Sequence, residues 1–226
     1  MMKAKKQMLK DVAYDHIRTK ILHYELPPGM DLSEELFAQE LNMSRTPIRE
    51  ALQQLSQEGY VDIYPHKGIF VSQLSYQDMY ELYRVRLFFE LPCIPYICQT
   101  VQTEPIRSRV LELRDYFMHF EYPCGLEQLD EWTQKDRELH RIIVDSYGNH
   151  QLSLLYDIAV NKIMRIRYLM ARNLRSRTDD ASAEHVRIID AIMAGDRKTT
   201  EQELAKHIDV PIHLQVLFED ITRQQL

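Results

Sequence analysis

Apolar residues recur at helical spacing along most of the chain. Leu9, Val12, Ile17, Ile21 and Leu22 stripe a segment from about 8 to 24. Leu36, Phe37 and Leu41 stripe a second, and Ile48, Leu52 and Leu55 a third. A period near 3.6 predicts an amphipathic helix in each case. Pro27-Pro28-Gly29 ends the first, since this tripeptide cannot continue a helix. Ser33 stands where an N-cap belongs, with Glu34 and Glu35 at the positive end of the second helix. Asn42-Met43 is a short turn, and Ser44 can cap the third helix. Pro47 sits in that helix's first turn, where its missing N–H has no intrahelical role. Gly59 closes it. Two β-prone runs, Tyr60 to Tyr64 and Ile69 to Val71, then flank Pro65-His66-Lys67-Gly68 and predict a hairpin. Two short helices across a tight turn, followed by a hairpin, predict a winged helix-turn-helix domain over residues 1–74.

Beyond Tyr76 the helical period is nearly continuous. Helices are expected near 76–100, 103–121, 126–147, 150–178, 180–195 and 198–224. Pro105, Pro123-Cys124-Gly125, Gly148-Asn149, Asp179-Asp180 and Gly195-Asp196 mark the junctions. Pro92 and Pro95 should kink the first or divide it in two. Six or seven helices with short connections predict an all-α antiparallel bundle over residues 75–226. The fold class is therefore mainly α.

Charge narrows the function. The chain of 226 residues carries a formal charge of −6, which argues against broad affinity for nucleic acid. Residues 1–74 hold 9 Lys+Arg against 10 Asp+Glu. Any DNA contact must come from a local patch. Arg45 and Arg49, four apart, share one face of the third helix, opposite its apolar stripe. His66, Lys67 and Gly68 sit at the hairpin tip, where a cation and an exposed N–H suit phosphate or the minor groove. The bland alternative is a solvated helix face and a solubilising turn.

The three cysteines, Cys93, Cys98 and Cys124, form no C-x-x-C and fit neither a disulfide framework nor a zinc–thiolate site. No apolar run reaches the roughly 18 residues that span a bilayer. No apolar segment follows the basic Met1 to Lys6. The expected location is the cytoplasm, with no membrane partner.

One set of residues suggests coordination chemistry. Asp136 and His140 lie four apart, on one helix face. His185 and His207 are each embedded among apolar residues at helical spacing, which turns both inward. Three histidines and a carboxylate converging from three helices make an N₃O site for a divalent metal. The alternative is a hydrogen-bonded polar cluster in the core. His16, His23, His66, His119, His150 and His213 are read as hydrogen-bonded core histidines. No H-E-x-x-H or comparable acid–base pair accompanies the four, and Glu138 faces elsewhere, so the chain is not expected to be an enzyme.

The N-terminal third resembles the winged-helix domain of the GntR family of bacterial transcription regulators. The resemblance is carried by Leu26-Pro27-Pro28-Gly29, Ser33-Glu34-Glu35-Leu36-Phe37-Ala38 and Ser44-Arg45-Thr46-Pro47-Ile48-Arg49-Glu50-Ala51-Leu52. Gly59 and Gly68 complete it. It implies DNA contacts from Ser44, Arg45, Thr46, Arg49 and Gly68. Some members have an arginine where this chain has Glu35, so that contact is expected to be missing.

The region from Tyr76 to about Val216 resembles the ligand-sensing domain of the FadR-type branch of that family, and within it the metal-containing subset. The matching residues are Val85-Arg86 with Glu90, Asp136-x-x-x-His140 with Ser146-x-Gly148-Asn149, Glu184-His185-x-x-Ile188, Ala191-Ile192 with Gly195-Asp196, and His207. The resemblance implies that Asp136, His140, His185 and His207 hold zinc, nickel or manganese. It also implies a small carboxylic-acid effector at that metal, not an acyl-CoA. Arg86 is the first choice for the cation that holds the effector. Asn161 and Arg165, one turn apart, are weaker choices, the alternative for both being the surface face of a long helix. Trp132, one turn before Asp136, either roofs the cavity or is plain core. The function implied is a homodimeric repressor of a palindromic double-stranded operator, controlled by the effector. The runner-up is a metal-dependent enzyme for a small carboxylate with a vestigial DNA head.

Overall fold

The structure is a computed structural model and describes residues 8–73, 75–121, 125–173 and 175–209. The basic N-terminus, Cys124, His213 and the last stretch expected in a helix to 224 lie outside the described residues. The chain divides into two compact units at the 74/75 boundary.

In the first unit, α1 (Leu9–Leu22), α2 (Glu34–Glu40) and α3 (Arg45–Gln57) precede β1 (Val61–Tyr64) and β2 (Gly68–Val71). Helix α1 packs on α3, with Ala13, Ile17, Ile48, Ala51, Leu52 and Leu55 fully buried. Tyr14 donates to Glu58 at 2.5 Å and Arg18 to the Tyr60 hydroxyl at 3.2 Å, tying α1 to the end of α3. Ser33 caps α2 by accepting from the Leu36 N–H at 3.3 Å. Ser44 occupies the N-cap of α3 in an extended conformation, but its side chain makes no capping hydrogen bond. Two expected core residues also lie outside. Leu9 begins α1 and Leu36 is 65% exposed, because the short α2 buries a single side chain, Phe37.

The hairpin is antiparallel, with Val61 opposite Val71 and Tyr64 opposite Gly68. Leu32 donates its N–H to Ile69 at 2.7 Å, so the segment before α2 extends the small sheet. Gly68 has φ +128, and a Cβ there would crowd the Asp31 carboxylate and the Phe70 ring at 3.3 Å. Glycine at the wing is thus required by backbone and by space.

The second unit is helical. It comprises α4 (Tyr76–Glu90), a 3-10 turn (Leu91–Cys93), α5 (Ile94–Thr100), α6 (Ile106–His119), α7 (Leu126–Asp145), α8 (His150–Asn173), α9 (Arg175–Met193) and α10 (Arg197–Ile208). Pro92 and Pro95 divide the first expected helix, as their lost N–H groups require. Asp179-Asp180 mark no junction: they lie inside α9. Helix α4 packs on α8, α7 on α8, α6 on α9 and α9 on α10. No helix among the described residues is long and apolar enough to cross a membrane.

Candidate functional site

The first site is the outer face of α3. Arg45 and Arg49 stand one turn apart at its start, 58% and 61% exposed. Neither is free in the unbound protein. Arg49 donates through Nε and Nη2 to the two carboxylate oxygens of Glu34, at 2.9 and 2.7 Å. Arg45 pairs through Nη2 with Glu35 at 2.9 Å. Hydrogen bonding from Arg49 holds the Glu34 carboxyl below the usual carboxylate range. Thr46 is exposed, as are His66 and Lys67 in the hairpin turn. His66 adopts φ 62, and the Lys67 N–H closes the turn onto Tyr64 at 3.1 Å. The pairing of Arg45 and Arg49 with α2 was not legible beforehand, because it joins two helices across a turn.

The second site is buried in the helical unit. Asp136 and His140 come from α7, His185 from α9 and His207 from α10. All four are buried, and one candidate ligand atom from each lies within 4.8 Å of the others. The imidazole centroids are 4.5 to 5.6 Å apart, and His185 Nε2 is 3.0 Å from Asp136 Oδ1. Phe117 packs on the His185 ring at 4.2 Å between centroids. Trp132 lies 5.9 Å from the same ring and donates its Nε1–H to Ser182 at 2.8 Å. It is a core wall of the site.

A second layer of carboxylates orients the rings. Glu90 Oε2 meets His140 Nδ1 at 2.5 Å, and Glu184 Oε2 meets His207 Nδ1 at 2.8 Å. Each leaves Nε2 as the remaining nitrogen of its ring. The Nε2 of His140 is buried and makes no hydrogen bond; Asp136 Oδ1, at 3.8 Å, is too far. A histidine held through Nδ1 by a carboxylate, with Nε2 turned to other donors, is the arrangement of a metal-bound imidazole. Burial, then the charge of Arg86, pushes His140 toward its neutral form, the form that coordinates. Glu90 and Glu184 both lie in the sequence motifs, but nothing in their spacing pairs them with these rings.

Glu90 is itself fully buried. Burial alone would raise its carboxyl, but the charge of Arg86 and the hydrogen bonds from Arg86 and His140 outweigh this and hold it at about 2. Arg86 Nε donates to Glu90 Oε1 at 2.8 Å, and the Tyr156 hydroxyl donates to the same oxygen at 2.7 Å. Arg86 is thus committed along one edge, while its Nη2 makes no hydrogen bond. Arg165 is buried and Asn161 half-buried, so only the second lies toward a surface. The arginine that reaches Asp136 is Arg167, whose Nη2 contacts Oδ1. Sequence spacing does not single it out, because it stands two residues from Arg165 on a stretch of α8 buried nearly all round.

The other histidines of the described set are not core residues. His66, His119 and His150 are exposed, and His16 pairs with Glu40 at 3.1 Å near the surface. Glu138 faces Arg109, away from the four.

Comparison with known proteins agrees with both units. The description "Bacterial regulatory proteins, gntR family" fits residues 9–71, and the FCD domain fits residues 81–210. An HTH-type transcriptional regulator of the TAR-I ttuE-ttuC' intergenic region of Agrobacterium vitis is 32% identical over 133 residues, 58% of this chain and 77% of that protein. The HTH-type transcriptional repressor RspR of Escherichia coli K12 is 22% identical over 205 residues, 89% of this chain and 86% of that one. Among solved structures, E. coli McbR/YncC matches with a TM-score of 0.72 at 17% identity, over 97% of this chain and 100% of that chain. A GntR regulator from Rhodococcus sp. RHA1 matches with a TM-score of 0.68 at 22% identity, over 96% of each chain. At such identities the two structures speak for the fold, and the fold is the winged helix-turn-helix joined to a helical domain. The chain therefore belongs to the GntR family of bacterial transcriptional regulators, with an FCD domain as its larger, helical part.

Proposed function

We propose that the protein is a cytoplasmic repressor whose hold on its operator is set by a small carboxylic acid, bound in the helical domain beside a divalent metal. The observation that carries this reading is the pair of carboxylate-held histidines. Glu90 and Glu184 hold His140 and His207 through Nδ1, so that their Nε2 atoms share one buried pocket with Asp136 and His185. A merely structural cluster would be expected to satisfy His140 Nε2 by a hydrogen bond, since an orphaned buried nitrogen costs about 1–3 kcal/mol.

Asp136, His140, His185 and His207 are the residues that would hold zinc, nickel or manganese. When bound, the ion supplies a Lewis-acidic centre for a carboxylate oxygen. The chain's own residues do the rest. Arg86 offers its uncommitted Nη2 to the ligand's anionic end, and Arg165 is a second buried cation on α8. Asn161, half-buried, is the weaker partner. Arg167 balances Asp136 by direct contact. Phe117 and Trp132 keep water from the His185 side. A ligand that favours one packing of α4, α7, α8 and α10 shifts the population toward it, and operator affinity follows.

DNA docking belongs to α3 and the wing. Arg45 and Arg49 read base edges, Ser44 and Thr46 position phosphates, and His66, Lys67 and Gly68 meet the flanking backbone. Two copies are needed for a palindrome. The apolar face for the second copy is formed by Val85 and Phe88 of α4 with Leu154, Leu155 and Ile158 of α8. All five are exposed, Phe88 to 77%, on two helices packed side by side. Phe88→Asp combined with Leu155→Glu is expected to give a monomer by light scattering and to cut affinity for a two-half-site duplex by more than about tenfold. An unchanged dimer would place the interface elsewhere.

The test of the metal reading is the metal content of protein purified without a metal-affinity tag. About one ion per chain is expected. Glu90→Gln should weaken binding of that ion roughly 10- to 100-fold, the usual cost of losing such an orienting carboxylate. No uptake of zinc, nickel or manganese would make the four residues a polar core cluster and leave ligand sensing to Arg86.

A further inference from the structure

We propose that Glu34 is a positioning residue for base reading: it clamps the guanidinium of Arg49 so that only the Nη1/Nη2 end faces the DNA. The inference rests on reading α3 as the recognition helix.

A guanidinium carries five N–H donors in a planar fork. Glu34 takes one from Nε and one from Nη2, in parallel, at 2.9 and 2.7 Å. That edge is used up. The donors left for DNA are the two on Nη1 and the second on Nη2. Guanine accepts two parallel donors at O6 and N7, and the remaining end of Arg49 matches that demand. Adenine offers only one acceptor at the corresponding edge, beside a donor that the guanidinium repels. An unclamped arginine swings on a long arm and can meet phosphate or either base with either edge. Holding it in advance also removes part of the ordering cost of a long side chain.

The two arginines are not treated alike. Arg49 is gripped at two points by a carboxylate whose side chain is 22% exposed. Arg45 has one contact, to a carboxylate as exposed as itself. The clamp therefore belongs to Glu34, while Glu35 forms a solvent-screened pair.

Glu34 has a second effect of opposite sign. It sets a negative charge beside the face that approaches phosphate, which weakens binding to any duplex. Removing the charge should therefore tighten non-specific binding and loosen base discrimination at once. A residue that merely supported the helix would weaken both.

The experiment uses the full-length protein. A randomised duplex library first yields the preferred sequence of the wild type. Affinities for that duplex and for a scrambled one are then measured for wild type, Glu34→Gln, Arg49→Ala and the double variant, with thermal unfolding as a fold control. Glu34→Gln is expected to bind the scrambled duplex more tightly, and its preferred-to-scrambled ratio to fall by about tenfold or more. The double variant should discriminate no worse than Arg49→Ala, because the clamp acts through Arg49 alone. An unchanged ratio in Glu34→Gln, a parallel loss on both duplexes, or additive losses in the double variant would each overturn the clamp. An unchanged ratio in Arg49→Ala would instead overturn the recognition-helix reading on which it stands.

Discussion

Replacing His185 or His207 by alanine is expected to abolish the protein's metal content and, with it, the effect of chelators on its stability. The two residues come from α9 and α10, and with α7 they close the group around Asp136. Removing either leaves at most three donors, in a pocket that no longer surrounds the ion. The readout must be chosen with care, because an alanine in this core also leaves a cavity that costs stability by itself. Chelator response separates the two effects. A ligand present at about 1,000 times its Kd stabilises the folded state by about 4 kcal/mol. For a domain of 150–250 residues each kcal/mol moves the melting temperature by about 2–4 °C, so chelation should lower that of the wild type by roughly 8–16 °C. The variants should start lower and not move. Wild-type protein that melts identically with and without chelator, at one metal per chain, would show that the ion is not coupled to the fold at all.

Arg49→Ala is expected to remove operator recognition while leaving the fold intact. The side chain is 61% exposed, and substitutions at such positions usually change stability by less than about 0.5 kcal/mol. Its loss from the DNA interface is much larger. A bidentate arginine–guanine contact discriminates by about 1–3 kcal/mol, and a dimer makes it twice. The expected loss on a palindromic site is therefore about 2–6 kcal/mol, or from roughly thirtyfold to roughly twenty-thousandfold. Binding to a scrambled duplex should fall far less, with the salt slope nearly kept, because Lys67, Thr46 and the helix N-terminus would still meet phosphate. Equal losses on both duplexes would make Arg49 a phosphate contact and move base reading to Arg45.

The relation between the two sites follows from their chemistry. Both are built on the same device, a carboxylate that holds a nitrogen side chain by one edge and presents the other. Glu34 does this for Arg49 at the surface, and Glu90 for His140 in the core. In the core the low dielectric makes the arrangement costly unless something binds the presented nitrogen. At the surface water fills that role until DNA arrives.

Much of this protein could be read from its residues in order. The stripe Ile48, Leu52, Leu55 set the face of α3, Ser33 its neighbour's cap, and Pro65 to Gly68 the turn of the wing. The spacing of Asp136 and His140 placed both on one side of α7, and apolar neighbours turned His185 and His207 inward. These are local properties: period, capping and turn chemistry act over a few residues, and the chain carries them wherever it goes. Tertiary structure decided the partners. Glu90 lies 50 residues from His140, Glu34 lies 15 from Arg49, and Arg167, not Arg165, met Asp136. It also left Leu9 and Leu36 in solvent, since a helical stripe says which residues share a face but not how wide the covering neighbour will be. Periodicity fixes the direction of a side chain about its own helix axis. Which side chain stands at the other end of a hydrogen bond depends on how helices cross, and that emerges only when the whole core is packed.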